Sequence, residues 1–192
     1  TGVQTCALPI SKVHCCSTVN FVLKPSSEST PLRLVTNASF FHQSKSLNQN
    51  VVAGLTELPP ILHLLLEFFL APWVAAFDIT KCYRAIHTSE STNLLRLIPI
   101  WADKDDENCT ALLKYGRMCF GDVAASSILL LSYFHFVLPL LKTPLARKVL
   151  SSLYVDDSLS GHRCKVELEN AVEEVISKLA VFGFKPKYVF YN

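Results

Sequence analysis

Charge is scarce in this sequence. Of its 192 residues, 18% are Asp, Glu, Lys or Arg, while half are apolar. That composition excludes a disordered chain, and the length suffices for one domain or two small lobes. Excess charge of either sign is also missing: 18 Lys and Arg stand against 16 Asp and Glu, a net +2. The balance is too even to argue for nucleic acid by itself, but a basic groove could still exist locally. Uninterrupted membrane-length runs are lacking. ILHLLLEFFLAPWVAAF (61–77) is broken by His63, Glu67 and Pro72, and SSILLLSYFHFVLPLL (126–141) by His135 and Pro139. Neither reaches the ~20 apolar residues of a spanning helix, so both read as core elements and no membrane partner is expected. The first residues carry no basic-then-apolar secretory pattern. Zinc spacing is absent as well. The seven cysteines (Cys6, Cys15, Cys16, Cys82, Cys109, Cys119, Cys164) include no CxxC, and His14-Cys15-Cys16 has no distant partner pair. They read as reduced thiols of an intracellular protein. No internal repeat is visible.

TGVQTCALPIS, residues 1–11, has no periodicity and is similar to a translated sequencing-adaptor scar. It is set aside as non-native, leaving 12–192 as the region that carries function and the chain as a fragment. TPLRLVTNAS (30–39) alternates loosely and is rich in β-branched residues, which predicts a strand. The polar stretch 40–57 reads as a loop. Pro59-Pro60 suit a helix start, and ILHLLLEFFL follows until Pro72. WVAAFDI (73–79) is a buried strand with a carboxylate, Asp78, near its end. NLLRLIPIW and TALLKYGRMCF form a hairpin across the acidic turn ADKDDEN. Asp103, Asp105, Asp106 and Glu107 in that turn lack the Gly and terminal Glu of a calcium loop. Gly121-Asp122 opens an apolar helix that runs to Pro139, with Asp122 as its cap. LYV (153–155) is a strand and DDSL its turn. VELENAVEEVISKLAVFG shows Leu168, Val172, Val175, Ile176 and Leu179 at helical spacing, ended by Gly183. FKPKYVFYN is a last strand. The order predicts an α+β fold with antiparallel pairing.

Within SSLYVDDSLSG (151–161), two carboxylates, Asp156 and Asp157, follow an apolar run. Adjacent like charges beside packed side chains need a cation or open water. Asp78 ends another strand. Neighbouring strands lie only ~4.8 Å apart, so if these two are neighbours, three carboxylates converge. Such a cluster suits Mg²⁺, a hard cation bound by a few carboxylates together with phosphate and water. Two ions about 4 Å apart can activate an attacking hydroxyl and stabilise a leaving oxygen in phosphoryl transfer. Asp-Asp is also common in hairpin turns for conformational reasons alone.

The motifs form an ordered set. YVDD (154–157) resembles the aspartate box of reverse transcriptases, and FDITKCYRAI (77–86) is similar to their first catalytic-aspartate motif. FGDVAASSILLLSYFH (120–135) resembles the start of their long palm helix. STPLRLVTNAS, SLNQNVVAG, DITKCYRAI and LYVDDSLSGH resemble the BEL/Pao class of LTR retrotransposons. The resemblance covers residues 20–192. It implies the fingers and palm of a right-hand polymerase, with an antiparallel palm sheet packed on helices and the thumb absent. Asp78, Asp156 and Asp157 would be the catalytic carboxylates, with Asp78 and Asp156 holding two Mg²⁺ ions, or Mn²⁺ in their place. The Ile79 carbonyl would be an extra ligand and Asp157 a supporting one. Tyr83 would sit under the sugar and exclude a 2′-hydroxyl; an ordinary core tyrosine is the plainer alternative. Phe120 and Gly121 would line the nucleotide and template base, and Arg33 would grip the triphosphate. The resemblance implies an RNA-directed DNA polymerase, with an RNA or DNA template and primer, deoxynucleoside triphosphates and the rest of a retroelement polyprotein as partners. A cytoplasmic retroelement particle would be its location. Three departures stand out. Ser126 occupies a slot that usually carries Pro, and Asn37 replaces an acidic residue. The C-terminal lysine register is shifted, which leaves both Lys185 and Lys187 open as the general acid. A non-catalytic retroelement remnant serving as an interaction module is the alternative function.

Overall fold

The computed structural model describes residues 3–6, 17–26, 31–41, 45–55, 58–93, 97–100 and 111–192. In chain order the strands are β1 (Val3–Cys6), β2 (Thr18–Leu23), β3 (Leu32–Asn37), β4 (Trp73–Thr80), β5 (Leu97–Ile100), β6 (Ala111–Tyr115), β7 (Leu153–Tyr154), β8 (Asp157–His162) and β9 (Lys185–Tyr191). The helices are α1 (Leu47–Asn50), α2 (Ile61–Leu70), α3 (Cys82–Ala85), α4 (Glu90–Asn93), α5 (Ala125–Ser132), α6 (Pro144–Ser151) and α7 (Lys165–Val181). Among the described residues every strand pairing is antiparallel, and helices and sheets are mixed as expected. The chain divides into two compact units, Thr1–Ala53 with Ile86–Ala125, and Gly54–Ala85 with Ser126–Asn192.

In the first unit, β2 and β3 form a hairpin in register from Thr18↔Asn37 to Leu23↔Leu32. The expected β5–β6 hairpin is present. Its acidic turn, with Asp103, Asp105, Asp106 and Glu107, lies outside the described residues, as do Cys15, Cys16 and Cys109. The backbone of Val3–Cys6, set aside on sequence grounds, pairs with β6. Ladder hydrogen bonds come from the main chain, so this edge can be filled without a matching side-chain pattern. The 40–57 stretch is not all loop: α1 is a single turn capped by Ser46, whose hydroxyl accepts from the Gln49 N–H at 3.3 Å. Asp122 stands at the start of α5. Its carboxylate accepts from the Cys119 N–H at 3.4 Å, and its carbonyl receives the Ala125 N–H.

The second unit is a four-stranded sheet in the order β7-β8-β4-β9. The central strand β4 buries Ala75, Phe77 and Ile79 on one face, with Val74 buried on the other near its start. Helix α7 lays the expected stripe Leu168, Val172, Val175 and Leu179 into the core, together with Ala171, while Ile176 is half-buried. It ends as the sequence predicts: Gly183 takes φ +82°, its N–H reaches the Ala180 carbonyl and the Phe184 N–H reaches Leu179, the left-handed cap that favours glycine. Thr143 caps α6 by accepting from Ala146 at 3.1 Å, with Pro144 in the first turn. The apolar run after Gly121 is shorter as an α-helix than expected. It passes into a π-helical turn, Tyr133–Val137, and a 3₁₀ turn, Leu138–Leu140, that contains Pro139. Residues 61–77, one of the two apolar runs, split into α2 and most of β4. Among the described residues no helix is long and apolar enough to cross a membrane.

Candidate active site

Strand β4 brings Asp78 to its place. Phe77 and Ile79 on either side are buried, so Asp78 projects from the opposite face of the sheet. Strand β8 pairs with β4 so that Asp78 and Asp157 are direct partners across the ladder. Directly opposed residues have Cβ atoms about 5 Å apart, and like charges there repel. Asp156 is the last residue of the two-residue link between β7 and β8, and its carbonyl accepts the Ile79 N–H at 2.8 Å. Asp78 and the consecutive Asp156-Asp157, distant in sequence, therefore stand at the same end of β4.

Their electrostatics follow from that meeting. Burial, then the Asp157 carboxylate, push Asp78 above the usual carboxylate value, and the Lys187 ammonium pulls it back. Burial, Asp157 and Asp78 likewise raise Asp156, against a backbone N–H that favours its ionised form. Lys187, rather than Lys185, is the lysine whose charge reaches Asp78. Among the described residues no group of three His, Cys, Asp or Glu is gathered closely enough to hold a metal ion by itself.

Tyr83 lies on the short helix α3, just beyond β4, and is buried. Its phenol oxygen is 3.0 Å from the Ser126 hydroxyl. Burial raises its pKa, the Ser126 hydrogen bond lowers it, and the Asp156 charge adds to the rise. Ser126, the departure from the usual Pro, thus supplies a polar partner that the residue types alone did not suggest. Cys82 is buried, and burial followed by Asp156 pushes its thiol up to about 12, which leaves it protonated and inert.

The other nucleotide candidates belong to the first unit. Arg33 stands in β3 opposite Val22, and its side chain lies outside the described residues. Phe120 is exposed, and its carbonyl accepts from the Thr36 hydroxyl at 2.8 Å. Gly121 has φ +97°, and a Cβ there would lie 2.6 Å from the Thr36 carbonyl oxygen, so only glycine fits. Asn48 fastens this bend: its Nδ2 donates to the Gly121 carbonyl at 2.8 Å, and its Oδ1 accepts from the Val123 N–H at 2.9 Å. The sequence reading missed Asn48. An amide with both a donor and an acceptor inside a polar loop was the only signal.

No protein-family model and no curated protein matches this chain. Solved structures do. The chain is similar to a foamy viral protease-reverse transcriptase in complex with double-stranded DNA, at 15% identity and a TM-score of 0.65 over 88% of this chain and 26% of that one. A foamy viral protease-reverse transcriptase in complex with an RNA/DNA hybrid gives 14% and 0.64, over 89% and 20%. The native prototype foamy virus protease-reverse transcriptase gives 14% and 0.62, over 88% and 20%. At such identities the likeness is one of fold. The chain has a reverse-transcriptase-like fold and spans a quarter to a fifth of the length of those chains.

Proposed function

We propose that this chain is the fingers and palm of an RNA-directed DNA polymerase of a BEL/Pao-class retroelement, transferring deoxynucleotides to a primer 3′-hydroxyl. The observation that carries the reading is the register of β4 against β8, which sets Asp78 opposite Asp157 with Asp156 in the adjoining turn. Nucleic-acid duplexes accompany two of the solved structures of the same fold, which supports a template–primer as partner. Deoxynucleoside triphosphates, the rest of a polyprotein and a cytoplasmic particle complete the proposal.

Carboxylate oxygens are the donor type that Mg²⁺ takes. The excess of negative charge, partly desolvated, raises Asp78 and Asp156 as a shared cation would reverse. Mg²⁺ characteristically takes one or two carboxylates plus substrate phosphates and water rather than a full protein cage. Asp78 and Asp156 would hold it, with the Ile79 carbonyl and Asp157 in support; Mn²⁺ is the substitute ion. When bound, the metal supplies charge stabilisation at the attacking and departing oxygens. The chain's own residues do the rest. The carboxylates orient the site, and Lys187, the cation that reaches Asp78, becomes the better placed of the two lysines to return a proton to pyrophosphate. Tyr83, tied to Ser126, would occupy the volume a 2′-hydroxyl needs. Arg33, Phe120 and Gly121 are proposed for the nucleotide from the motif resemblance.

Primer extension on an RNA template, run beside equilibrium Mn²⁺ binding, tests the reading. Asp156→Asn should abolish extension and weaken Mn²⁺ binding with the fold intact. Full Mn²⁺ binding by Asp156→Asn and Asp78→Asn would refute it.

A further inference from the structure

Tyr133 is entirely buried, and a buried phenol requires a hydrogen-bond partner. Its O–H donates to the Val155 carbonyl at 3.2 Å. Val155 is the first of the two residues that join β7 to β8, and its φ is +67°. A β-branched residue at positive φ crowds its own backbone, and the first position of such a hairpin turn normally belongs to glycine. It stays there only where its surroundings hold it. A return to negative φ would reorient the next peptide and the aspartate that follows. Two hydrogen bonds oppose that return: the Ile79 N–H on the Asp156 carbonyl, which any strand residue could supply, and the Tyr133 hydroxyl on Val155, which only a side chain of this reach provides. The aim of the phenol is itself fixed. Tyr133 opens the π-helical turn Tyr133–Val137, and its ring packs edge-on against Phe184 with centroids 5.0 Å apart. A π turn shifts side chains off the regular helical face, a device often found at functional sites.

We propose that Tyr133 is a positioning residue: its hydroxyl holds Val155 in the left-handed conformation and so sets the direction from which Asp156 offers its carboxylate to a divalent cation. The inference rests on the reading of Asp156 as a metal ligand. Burial pushes the phenol far above the ordinary tyrosine value, so it remains a donor wherever the fold survives.

Mn²⁺ is the probe, titrated into the full chain and followed by the electron paramagnetic resonance of the free ion. Tyr133→Phe keeps the ring against Phe184 and removes only the hydroxyl. Its Mn²⁺ affinity should fall about tenfold, the usual cost of losing an outer partner of a ligand. In a Val155→Gly background the same change should cost about twofold, because glycine populates both signs of φ almost equally and does not need holding. Val155→Gly alone should bind within about twofold of the wild type. Equal losses in both backgrounds would reduce Tyr133 to a packing residue and overturn the proposal, as would unchanged binding by Tyr133→Phe. Should Tyr133→Phe fail to fold, a tenfold loss in Val155→Gly alone, about the size of an outer-partner effect, overturns it as well. A wild type that binds no Mn²⁺ refutes the metal reading and the inference with it, whereas binding by the wild type and loss in Asp156→Asn leave only the role of Tyr133 at stake.

Discussion

The hairpin β2–β3 is closed by a ladder from Thr18↔Asn37 to Leu23↔Leu32, whereas β7–β8 has only Leu153↔Ser158 and Tyr154↔Asp157. The long hairpin leaves its apolar side chains in water: Phe21 is 66% exposed and Leu23 74%. The short one is packed. Leu153 is 2% exposed, and the buried Ser152 hydroxyl lies 3.0 Å from that of Ser158 and 2.9 Å from that of Ser160. Tyr133 holds its turn from beneath. A ladder fixes register but not the orientation of a turn. Side-chain support from outside the ladder does that, and it is concentrated where the carboxylates stand.

The comparison breaks most visibly at the turn itself. If the proposed polymerase reading holds, Asp156→Asn should lower nucleotide incorporation by at least about 10²-fold, the scale of losing a preorganised electrostatic contact, without unfolding the protein. Stability should move the other way. The folded-state pKa values of Asp78 and Asp156 are raised, so below the unfolded carboxylate value both states are protonated and the native state carries no penalty. As pH rises through the raised values, the native state must ionise against burial and its neighbours, and stability is lost. Metal-free Asp156→Asn should therefore melt above the wild type near neutral pH, and the gap should close as pH falls to about 4. Melting curves across that range check the sign; a gap that widens on acidification would contradict it.

The same truncation in each hairpin comes next. Leu153→Ala should cost about 2–5 kcal/mol by opening a cavity, and Leu23→Ala no more than about 0.5 kcal/mol. Urea unfolding measures both. Similar losses would mean that the two hairpins are held alike.

How much of this could be read from the residues depends on which force dominates. Helix α7 was legible because its stripe and its terminal Gly183 agree. Asp78 was legible as a carboxylate at a strand end, but only the motif resemblance joined it to Asp156-Asp157, since register is a property of two strands. Local preference puts the turn at Asp156-Asp157-Ser158-Leu159, because valine at positive φ contradicts every such preference. It lies instead at Val155-Asp156, where contacts from Tyr133 and Ile79 override those preferences. Strand β8 defeats the polarity rule too: Ser158 and Ser160 are buried, while Leu159 on the other face is half-buried. The π-helical turn that aims Tyr133 leaves no mark in a uniformly apolar run.

A smaller effect sits further along β8. At Gly161 a Cβ would lie 2.4 Å from the Ala71 Cβ and 2.8 Å from the Glu67 carbonyl oxygen. The backbone end of α2 cannot retreat as a flexible side chain would, so Gly161→Ala should cost about 1–3 kcal/mol. Nothing lies within 4 Å of a Cβ at Gly183, where only the left-handed φ resists substitution. Gly183→Ala should cost about 1–2 kcal/mol, and adding the two in one chain separates crowding from backbone strain.

The smallest stability change belongs to the long hairpin. Among the described residues β2 and β3 form a two-stranded sheet. Phe21 and Leu23 share one face of β2, and Leu32, also exposed, is the cross-strand partner of Leu23. Threonine at position 21 keeps a β-branched strand former and removes the ring. Because the ring is mostly in water already, Phe21→Thr should change stability by no more than about 0.5 kcal/mol. What it should change is association. An exposed apolar row invites a second chain, and losing the ring should reduce concentration-dependent self-association in sedimentation. The two readouts together test the comparison: a hairpin held by its ladder alone tolerates the loss of a side chain and gains solubility. A drop of several kcal/mol would show instead that this face is buried in solution, and that both hairpins owe their hold to side chains.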